Sequence, residues 1–405
     1  MNVTIRPGKL SGAVRVPASK SAAHRALIAA ALADRVTVVR LDALNDDIEA
    51  TLSALTALGA RIDCDAQEDR VTVHPIDRPA DSPDALVDCG ESGSTLRFLM
   101  PVACALGVRA RFVGQGRLPE RPNRPLTEAL RRHGAVIDSD RLPMRVTGTL
   151  SGGLWTLPGD VSSQYVTGLL LALPLLDEDS EIRLTSPLQS ASYVDMTLEM
   201  QRRFGIDIVS TSSGWRIPGN QAYRSPGNMA VEGDWSAAAF WLAANAMGSA
   251  IDVRGLSEAT VQGDRAVKAL LGRPEIDASN VPDLVPALAA AAAILPRRTV
   301  ISGAGRLRFK ESDRLQALSD MLTALGGSVR ITADGLVIDG GRPLHGGCVD
   351  GRNDHRIVMA TAILATCADG PVTVTGAQAV SKSYPDFFNH FMALGGNIDV
   401  EPAGR

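Results

Sequence analysis

Apolar positions along the chain alternate between a helical and a strand-like rhythm. Six stretches carry apolar residues at helical spacing: Leu52–Leu58, Leu126–His133, Leu198–Phe204, Val267–Leu271, Leu315–Leu325 and Phe387–Leu394. Each runs into a glycine (Gly59, Gly134, Gly205, Gly272, Gly326 and Gly395), and most of these open a short β-like run such as Ala60-Arg61-Ile62 or Ala135-Val136-Ile137. Glycine just past the last apolar helical position is the expected helix stop, because it alone takes the left-handed conformation cheaply. The six glycines lie 75, 71, 67, 54 and 69 residues apart. Such even spacing predicts six copies of one αβ unit rather than a generic alternation of helix and strand.

Each copy also carries a second helix that is apolar on most faces, so it is predicted to be buried. These helices begin near Ser21, Ser94, Ser163, Asp234, Asp283 and His355 and run into Ala- and Leu-rich stretches such as Ala287–Ile294 and Val358–Ala365. Six buried helices, each wrapped by strands and a more amphipathic helix, divide into two lobes of three units. The Pro- and Gly-containing stretch Pro218–Gly227 is the expected boundary, just before Val231-Glu232-Gly233-Asp234. The first strands, up to about Ala18, fit either lobe.

Composition narrows the class. A chain of 405 residues exceeds one ordinary core, and 45% hydrophobic residues exclude wholesale disorder. The net charge of −4 and the lack of a long basic run argue against a nucleic-acid binder. Met1–Leu10 lacks the apolar stretch of a signal peptide, and the longest apolar runs, Val161–Leu176 and Leu284–Pro296, are too short to span a bilayer. Five scattered cysteines form no Cys-x-x-Cys pair and no metal-ligand spacing, so reduced thiols in a cytoplasmic protein are expected. Cys104 and Cys367 sit in apolar helical stretches and read as core filler. Of 41 basic residues only Lys9, Lys20, Lys268, Lys310 and Lys382 are lysines.

Candidate chemistry clusters at the starts of the buried helices, where unpaired N–H groups and partial positive charge favour anions. The first opens Pro17-Ala18-Ser19-Lys20-Ser21 with Arg25 a turn later, so Lys20, Ser21 and Arg25 would converge on one anion. The second opens Gly90-Glu91-Ser92-Gly93-Ser94-Thr95 with Arg97 behind it, the third Ser162-Ser163-Gln164, the fifth Val281-Pro282-Asp283, and the sixth Asn353-Asp354-His355-Arg356. A lone Ser or Asp at a helix start is ordinarily a cap. Cations and amides added at several starts of one repeated element point to a ligand instead. Phe309-Lys310-Glu311-Ser312-Asp313-Arg314 reads on its own as a solvated helix start capped by Ser312, and Gly116-Arg117-Leu118-Pro119-Glu120-Arg121-Pro122 is a loop with two guanidinium groups suited to carboxylate or phosphate. Lys20, Lys310 and Lys382 fall in these segments, while Lys9 and Lys268 fall in none. No phosphate-binding Gly-x-x-x-x-Gly-Lys loop, serine elbow or His-Glu-x-x-His motif is present.

Taken in order, Pro17–Ser21 with Arg25, Gly93-Ser94 with Arg97, Leu118–Pro122, Ser162–Gln164, Lys310–Arg314, Asp354–Arg356 and Lys382-Ser383-Tyr384-Pro385-Asp386 resemble the EPSP synthase family of enolpyruvyl transferases over essentially the whole chain. The resemblance implies an α/β fold of two lobes, an inside-out α/β barrel of six βαβαββ-type repeats with pseudo-threefold symmetry in each lobe. It assigns residues 19–232 to an N-terminal lobe, and 1–18 with 233–405 to a C-terminal lobe. The active site is expected in the cleft between them. The implied reaction moves the enolpyruvyl group of phosphoenolpyruvate onto the 5-hydroxyl of shikimate 3-phosphate, with no metal or organic cofactor. The resemblance also implies a likeness to monomeric, cytoplasmic enzymes that use neither nucleic acid nor membrane.

By motif position, the resemblance gives Lys20, Ser21, Arg25, Ser162, Ser163, Gln164, Ser190, Tyr193, Asp283 and Lys310 to shikimate 3-phosphate. Lys20, Gly93, Arg121, Gln164, Arg314, Arg356 and Lys382 go to phosphoenolpyruvate. Asp283 would accept the hydroxyl proton, and Glu311, with Lys20 or Lys382, would move protons at the methylene carbon. Glyphosate is the expected competitor, since Gly93 rather than Ala leaves room there. Two residues depart from the pattern: Glu91 stands where many relatives carry Asn, and Arg306 where some carry an Asn. The alternatives are UDP-N-acetylglucosamine enolpyruvyl transferase, whose usual loop cysteine is missing from Gly114–Arg121, and a non-catalytic phosphosugar-binding protein, which would need neither Asp283 nor Glu311.

Overall fold

The computed structural model describes residues 1–42, 44–77 and 84–402. They form two compact units, Ala18–Val231, and Met1–Pro17 with Glu232–Arg405. The chain thus passes from one unit to the other after Pro17 and again after Val231. The Pro218–Gly227 stretch, expected as the boundary, lies inside the first unit. Tyr223 is fully buried in the first unit and bridges Ala33, and Ser225 hydrogen-bonds Thr37 at 2.7 Å, so hydroxyl groups stitch a segment that composition alone marks as loose.

One plan recurs in both units. Two parallel strands flank a buried helix, and an antiparallel hairpin extends the sheet beyond the second strand. In the N-terminal unit, Ala85–Asp88 pairs in parallel with Ala110–Val113, which is extended by Met144–Thr147 and Val136–Ile137. Gly153–Leu157 and Ser180–Leu184, with Gly214–Ile217 and Val209–Thr211, repeat the plan, as do Asn228–Ala230 and Thr37–Arg40 with Arg70–His74 and Arg61–Asp65. In the C-terminal unit, Glu275–Asp277 and Arg298–Ser302 are joined by Leu336–Asp339 and Ser328–Ile331. Gly347–Asp350 and Val372–Thr375 are completed by the N-terminal strand Asn2–Arg6 and by Asn397–Glu401.

The fourth copy departs from the expected repeat. Among the described residues its sheet has only Ala250–Arg254 and Ser11–Arg15, and its second helix shrinks to Val267–Leu270. The strand after Gly272 belongs to the next sheet. A missing hairpin accounts for the short 54-residue interval to Gly326. All six repeat glycines nonetheless have positive φ, from 73° at Gly205 to 114° at Gly59, the backbone state that closes each helix.

The buried helices are Lys20–Ala31, Gly93–Ala105, Ser163–Ala172, Trp235–Ala246, Val285–Ile294 and His355–Ala365. In the C-terminal unit the last three pack on one another, which the small side chains of Ala287 and Ala289–Ala293 permit. In the N-terminal unit the Gly93 and Ser163 helices approach closely: a Cβ at Gly168 would collide with the carbonyl oxygen of Arg97. Among the described residues no helix is long and apolar enough to cross a membrane. Cys104 is core, with burial pushing its thiol up to about 12. Cys367 is not: it is half-buried in the turn after the His355–Ala365 helix, 3.0 Å from Lys9 Nζ. Lys9 also donates to the Met247 carbonyl at 2.7 Å and so caps the end of the Trp235–Ala246 helix, while Lys268 lies 5.0 Å over the Trp235 ring.

Candidate active site

The N-terminal unit presents three helix starts rich in hydroxyl, amide and cationic groups. Ser19 caps the first by accepting from Ala22 N, which leaves Lys20 and Ser21 partly exposed in its first turn. Lys20 Nζ lies 2.7 Å from Asp47 Oδ2, at the start of the Asp46–Ala57 helix. Arg25 is 2% exposed and serves the scaffold: its guanidinium donates to Thr197 Oγ1 (2.8 Å), Ser21 O (2.6 Å), Tyr193 O (2.8 Å) and Thr167 Oγ1 (3.3 Å), and covers the Phe98 ring at 5.1 Å. Burial lowers its pKa to about 10, still far above neutrality. Through the Tyr193 carbonyl, Arg25 fixes the start of the Ala191–Arg203 helix. There Ser190 is held buried in the left-handed region at φ 58°, ψ 43°.

Ser92 caps the second helix by accepting from Thr95 N at 3.2 Å, and Ser162 caps the third by accepting from Gln164 N at 3.3 Å. The amide of Gln164 is fixed at both ends, its Nε2 on Ser94 Oγ (3.0 Å) and its Oε1 on Arg97 Nη1 (2.6 Å). Ser163 is buried just ahead of it. Arg97 further donates to Asn123 Oδ1 and Pro122 O and lies over the Tyr165 ring, which anchors the loop carrying Arg121. Arg121 differs from these cations. It is 7% exposed, its Nε meets no acceptor, and its guanidinium makes no hydrogen bond or ion pair among the described residues. It rests against Gly93, where a Cβ would stand 2.7 Å from Nη1. Glu91, the departure from the family pattern, packs its carboxylate against Gly116.

The C-terminal unit concentrates opposed charges. Arg314 is 1% exposed and binds three carboxylates: Asp354 Oδ2 to Nε at 2.8 Å, Asp283 Oδ1 to Nη1 at 2.9 Å and Glu311 Oε2 to Nη2 at 2.6 Å. Burial opposes its charge, but Asp354, Glu311 and Asp283 together outweigh burial and raise its pKa. Asp283 sits in the turn Pro282–Leu284 without capping the helix behind it, and it also meets Lys310 Nζ at 3.5 Å and Arg356 Nη2 at 3.2 Å. Lys382, 6% exposed, donates to Asn353 O at 2.7 Å, where Arg352 and Asn353 both have positive φ. Arg306 donates to Ser279 O at 2.8 Å.

Ser312 does not cap the helix after it, as its position suggests. Asp313 does, and Ser312 turns its hydroxyl to Asp354 Oδ2 at 2.9 Å. Asp47, Arg97 and Asp354 organise the named residues, yet the sequence does not single them out as site residues. Arg97 stands out there only as a basic residue behind a helix start, and Asp354 only as a cap. Behind Asp283 lies a further acid, Asp264, 3% exposed, whose carboxyl burial and the charge of Asp283 push up to about 7.

The chain as a whole has counterparts among known proteins. The profile of EPSP synthase (3-phosphoshikimate 1-carboxyvinyltransferase) matches residues 5–279 and 271–391. The chain is 40% identical to the 3-phosphoshikimate 1-carboxyvinyltransferase of Clostridium kluyveri, over 100% of this chain and 99% of that protein. It is 38% identical to that of Clostridioides difficile over the full length of both. Among solved structures it resembles EPSP synthase from Acinetobacter baumannii with a TM-score of 0.82 and 26% identity, over 99% of each chain. The enolpyruvyl transferase NikO from Streptomyces tendae shares the fold at a TM-score of 0.76 and 20% identity, over 100% of this chain and 99% of that one. With matches spanning both units and all seven ordered motifs, the chain belongs to the EPSP synthase family.

Proposed function

We propose that this chain transfers the enolpyruvyl group of phosphoenolpyruvate to the 5-hydroxyl of shikimate 3-phosphate and releases phosphate. One observation carries the reading most directly: Arg121, a buried guanidinium that no protein group pairs among the described residues, set against the side-chain-free start of the Gly93–Ala105 helix. A buried unpaired charge is costly, and a small dianion at a helix N-terminus satisfies it. Lys20, Gly93, Arg121 and Gln164 of one unit, and Arg314, Arg356 and Lys382 of the other, would hold phosphoenolpyruvate. Ser21, Arg25, Ser162, Ser163, Gln164, Ser190, Tyr193, Lys20, Lys310 and Asp283 would hold shikimate 3-phosphate, with Arg25 acting through the turns it fixes.

The chemistry follows addition then elimination. Asp283 accepts the hydroxyl proton as that oxygen bonds to the central carbon of phosphoenolpyruvate, and Glu311, with Lys20 or Lys382, protonates the methylene carbon. The tetrahedral adduct then returns that proton and expels phosphate. Asp283 meets three cations within the chain, Lys310, Arg314 and Arg356. Substrate phosphate and carboxylate would compete with it for those cations when both substrates are bound. The enzyme is taken to act as a cytoplasmic monomer, with glyphosate, also a carboxylate and phosphorus oxyanion, competing with phosphoenolpyruvate.

The test is phosphate release from phosphoenolpyruvate with shikimate 3-phosphate or UDP-N-acetylglucosamine as acceptor. Release with the first alone is expected. Release with the second alone overturns the assignment, and binding without release returns the chain to the non-catalytic reading.

A further inference from the structure

A line of buried polar side chains in the N-terminal unit runs beneath the residues assigned to phosphoenolpyruvate. His24 Nδ1 lies 2.7 Å from Thr51 Oγ1, Thr51 Oγ1 lies 2.7 Å from Thr95 Oγ1, and Thr95 Oγ1 donates to Ser92 Oγ at 2.8 Å. All four side chains are fully buried. They come from the helices Lys20–Ala31, Asp46–Ala57 and Gly93–Ala105 and from the cap residue of the last. Buried polar groups among apolar helices are retained at a cost unless satisfied, and in this set each side chain has a partner in series, with His24 Nε2 left over.

The direction of the series follows from His24. Its Nε2 meets no partner, and an orphaned buried N–H is rarer than an orphaned lone pair, so the proton belongs on Nδ1. His24 therefore donates to Thr51, Thr51 to Thr95, and Thr95 to Ser92. The ring stays neutral, since burial, Lys20 and Arg25 all hold its pKa well below the ordinary histidine value. It packs edge-to-face with Phe98, 6.2 Å between centroids, which restrains its orientation.

The two ends of this series adjoin residues assigned to the donor. Ser92 caps the helix whose next residue is Gly93, and His24 lies one turn after Lys20 on its helix. In the middle, the Asp47 main-chain carbonyl lies 3.3 Å from Thr51 Oγ1 and 3.5 Å from Thr95 Oγ1, an alternative acceptor for either hydroxyl proton, while the Asp47 side chain holds Lys20. We propose that His24, Thr51, Thr95 and Ser92 are positioning residues that set the Gly93 helix start in register with Lys20, and so determine affinity for the anionic enolpyruvyl donor. All four act through the residues they hold and touch no substrate themselves. The proposal rests on the assignment of Lys20 and Gly93 to phosphoenolpyruvate.

The test uses Thr95→Val, which keeps side-chain volume and removes the hydroxyl, and Thr95→Ser, which restores it. Thr51→Val and Thr51→Ser form a second pair on a different helix. Both valine variants are expected to raise KM for phosphoenolpyruvate about tenfold, the scale of one buried hydrogen bond lost beside an unpaired partner. KM for shikimate 3-phosphate and kcat should stay within about twofold, and both serine variants should recover the wild-type values. A valine variant with unchanged KM for phosphoenolpyruvate, or one that raises both KM values equally, overturns the proposal. Lowered melting temperature with unchanged constants also overturns it, because that is what a purely structural role predicts. The wild-type chain is assayed alongside: if it fails to use phosphoenolpyruvate at all, the functional assignment itself is what has failed.

Discussion

Arg121 occupies the space that a side chain at Gly93 would need: a Cβ there would stand 2.7 Å from Nη1 and 2.9 Å from Cζ. Arg121 is 7% exposed and its guanidinium is held by no protein group among the described residues, so it gives way to the new side chain rather than resisting it. Gly93→Ala therefore displaces a cation that no protein group holds among the described residues, and moves it away from the anion it is proposed to bind. KM for phosphoenolpyruvate should rise about tenfold, as expected for the loss of one well-placed charged hydrogen bond. The glyphosate inhibition constant should rise further, since the methyl group also takes up room beside the ligand. Steady-state kinetics with and without glyphosate check both, and an unchanged KM for phosphoenolpyruvate would show that Arg121 does not bind it.

Lys20 and Asp47 make a second checkable pair, 2.7 Å apart with side chains 14% and 13% exposed. Asp47→Asn keeps the shape at the helix start and removes the charge that holds the ammonium in place. A fall of about tenfold in kcat/KM is expected, with stability changed by no more than about 1 kcal/mol, the range for a partly exposed pair. A large loss of stability with normal kinetics would make the pair structural.

Periodicity carries the repeat. The six glycines that mark helix ends in the sequence all have positive φ in the fold, because that requirement is local and only glycine meets it cheaply. The missing hairpin of the fourth copy leaves only a short interval as its trace, since an absent element has no residues to read. Pro218–Gly227 reads as a lobe boundary because turn-rich composition records local chain direction, not the tertiary hydrogen bonds of Tyr223 and Ser225. The helix starts are legible as anion sites from residue type, but the depth of each side chain is not. Arg25 and Arg121 look alike in sequence, yet one is consumed by the scaffold and the other is unpaired. That difference lies in residues from distant segments, Thr167, Tyr193 and Thr197, that no local pattern connects to Arg25.

Arg314 and Asp354 are both almost completely buried and meet at 2.8 Å, so neither charge tolerates the loss of the other. Arg314→Met leaves Asp354, Asp283 and Glu311 without their shared cation and should cost about 3–5 kcal/mol in urea denaturation. Asp354→Asn retains the helix cap, since Asn serves as well as Asp there, and should cost less. The double variant should lose less than the two single losses added together, the signature of a shared interaction. Strict additivity would mean that the charges do not stabilise one another.

Asp264 predicts a pH dependence of stability. Its carboxyl rises from 3.8 to about 7 in the folded chain, first because of burial and then because of the Asp283 charge. Arg356, also acting on it, pulls the other way, as does the hydrogen bond from Ser236, while Asp234 reinforces the rise. Between about pH 4 and pH 7 the folded chain holds a proton that the unfolded chain has released, so this group's contribution is complete below pH 4 and declines as pH rises through 7. Asp264→Asn has no proton to lose, and its amide oxygen can still accept from Ser236. The variant should therefore match or fall below the wild-type melting temperature at pH 4 and exceed it at pH 8. The change in relative stability between those two conditions should be on the order of 2–4 kcal/mol, since each pH unit over which only the folded chain keeps the proton contributes about 1.4 kcal/mol. Calorimetry of both proteins across that range decides the matter. A difference that stays constant with pH would mean that Asp264 is ionised throughout, and that burial beside Asp283 does not govern its charge.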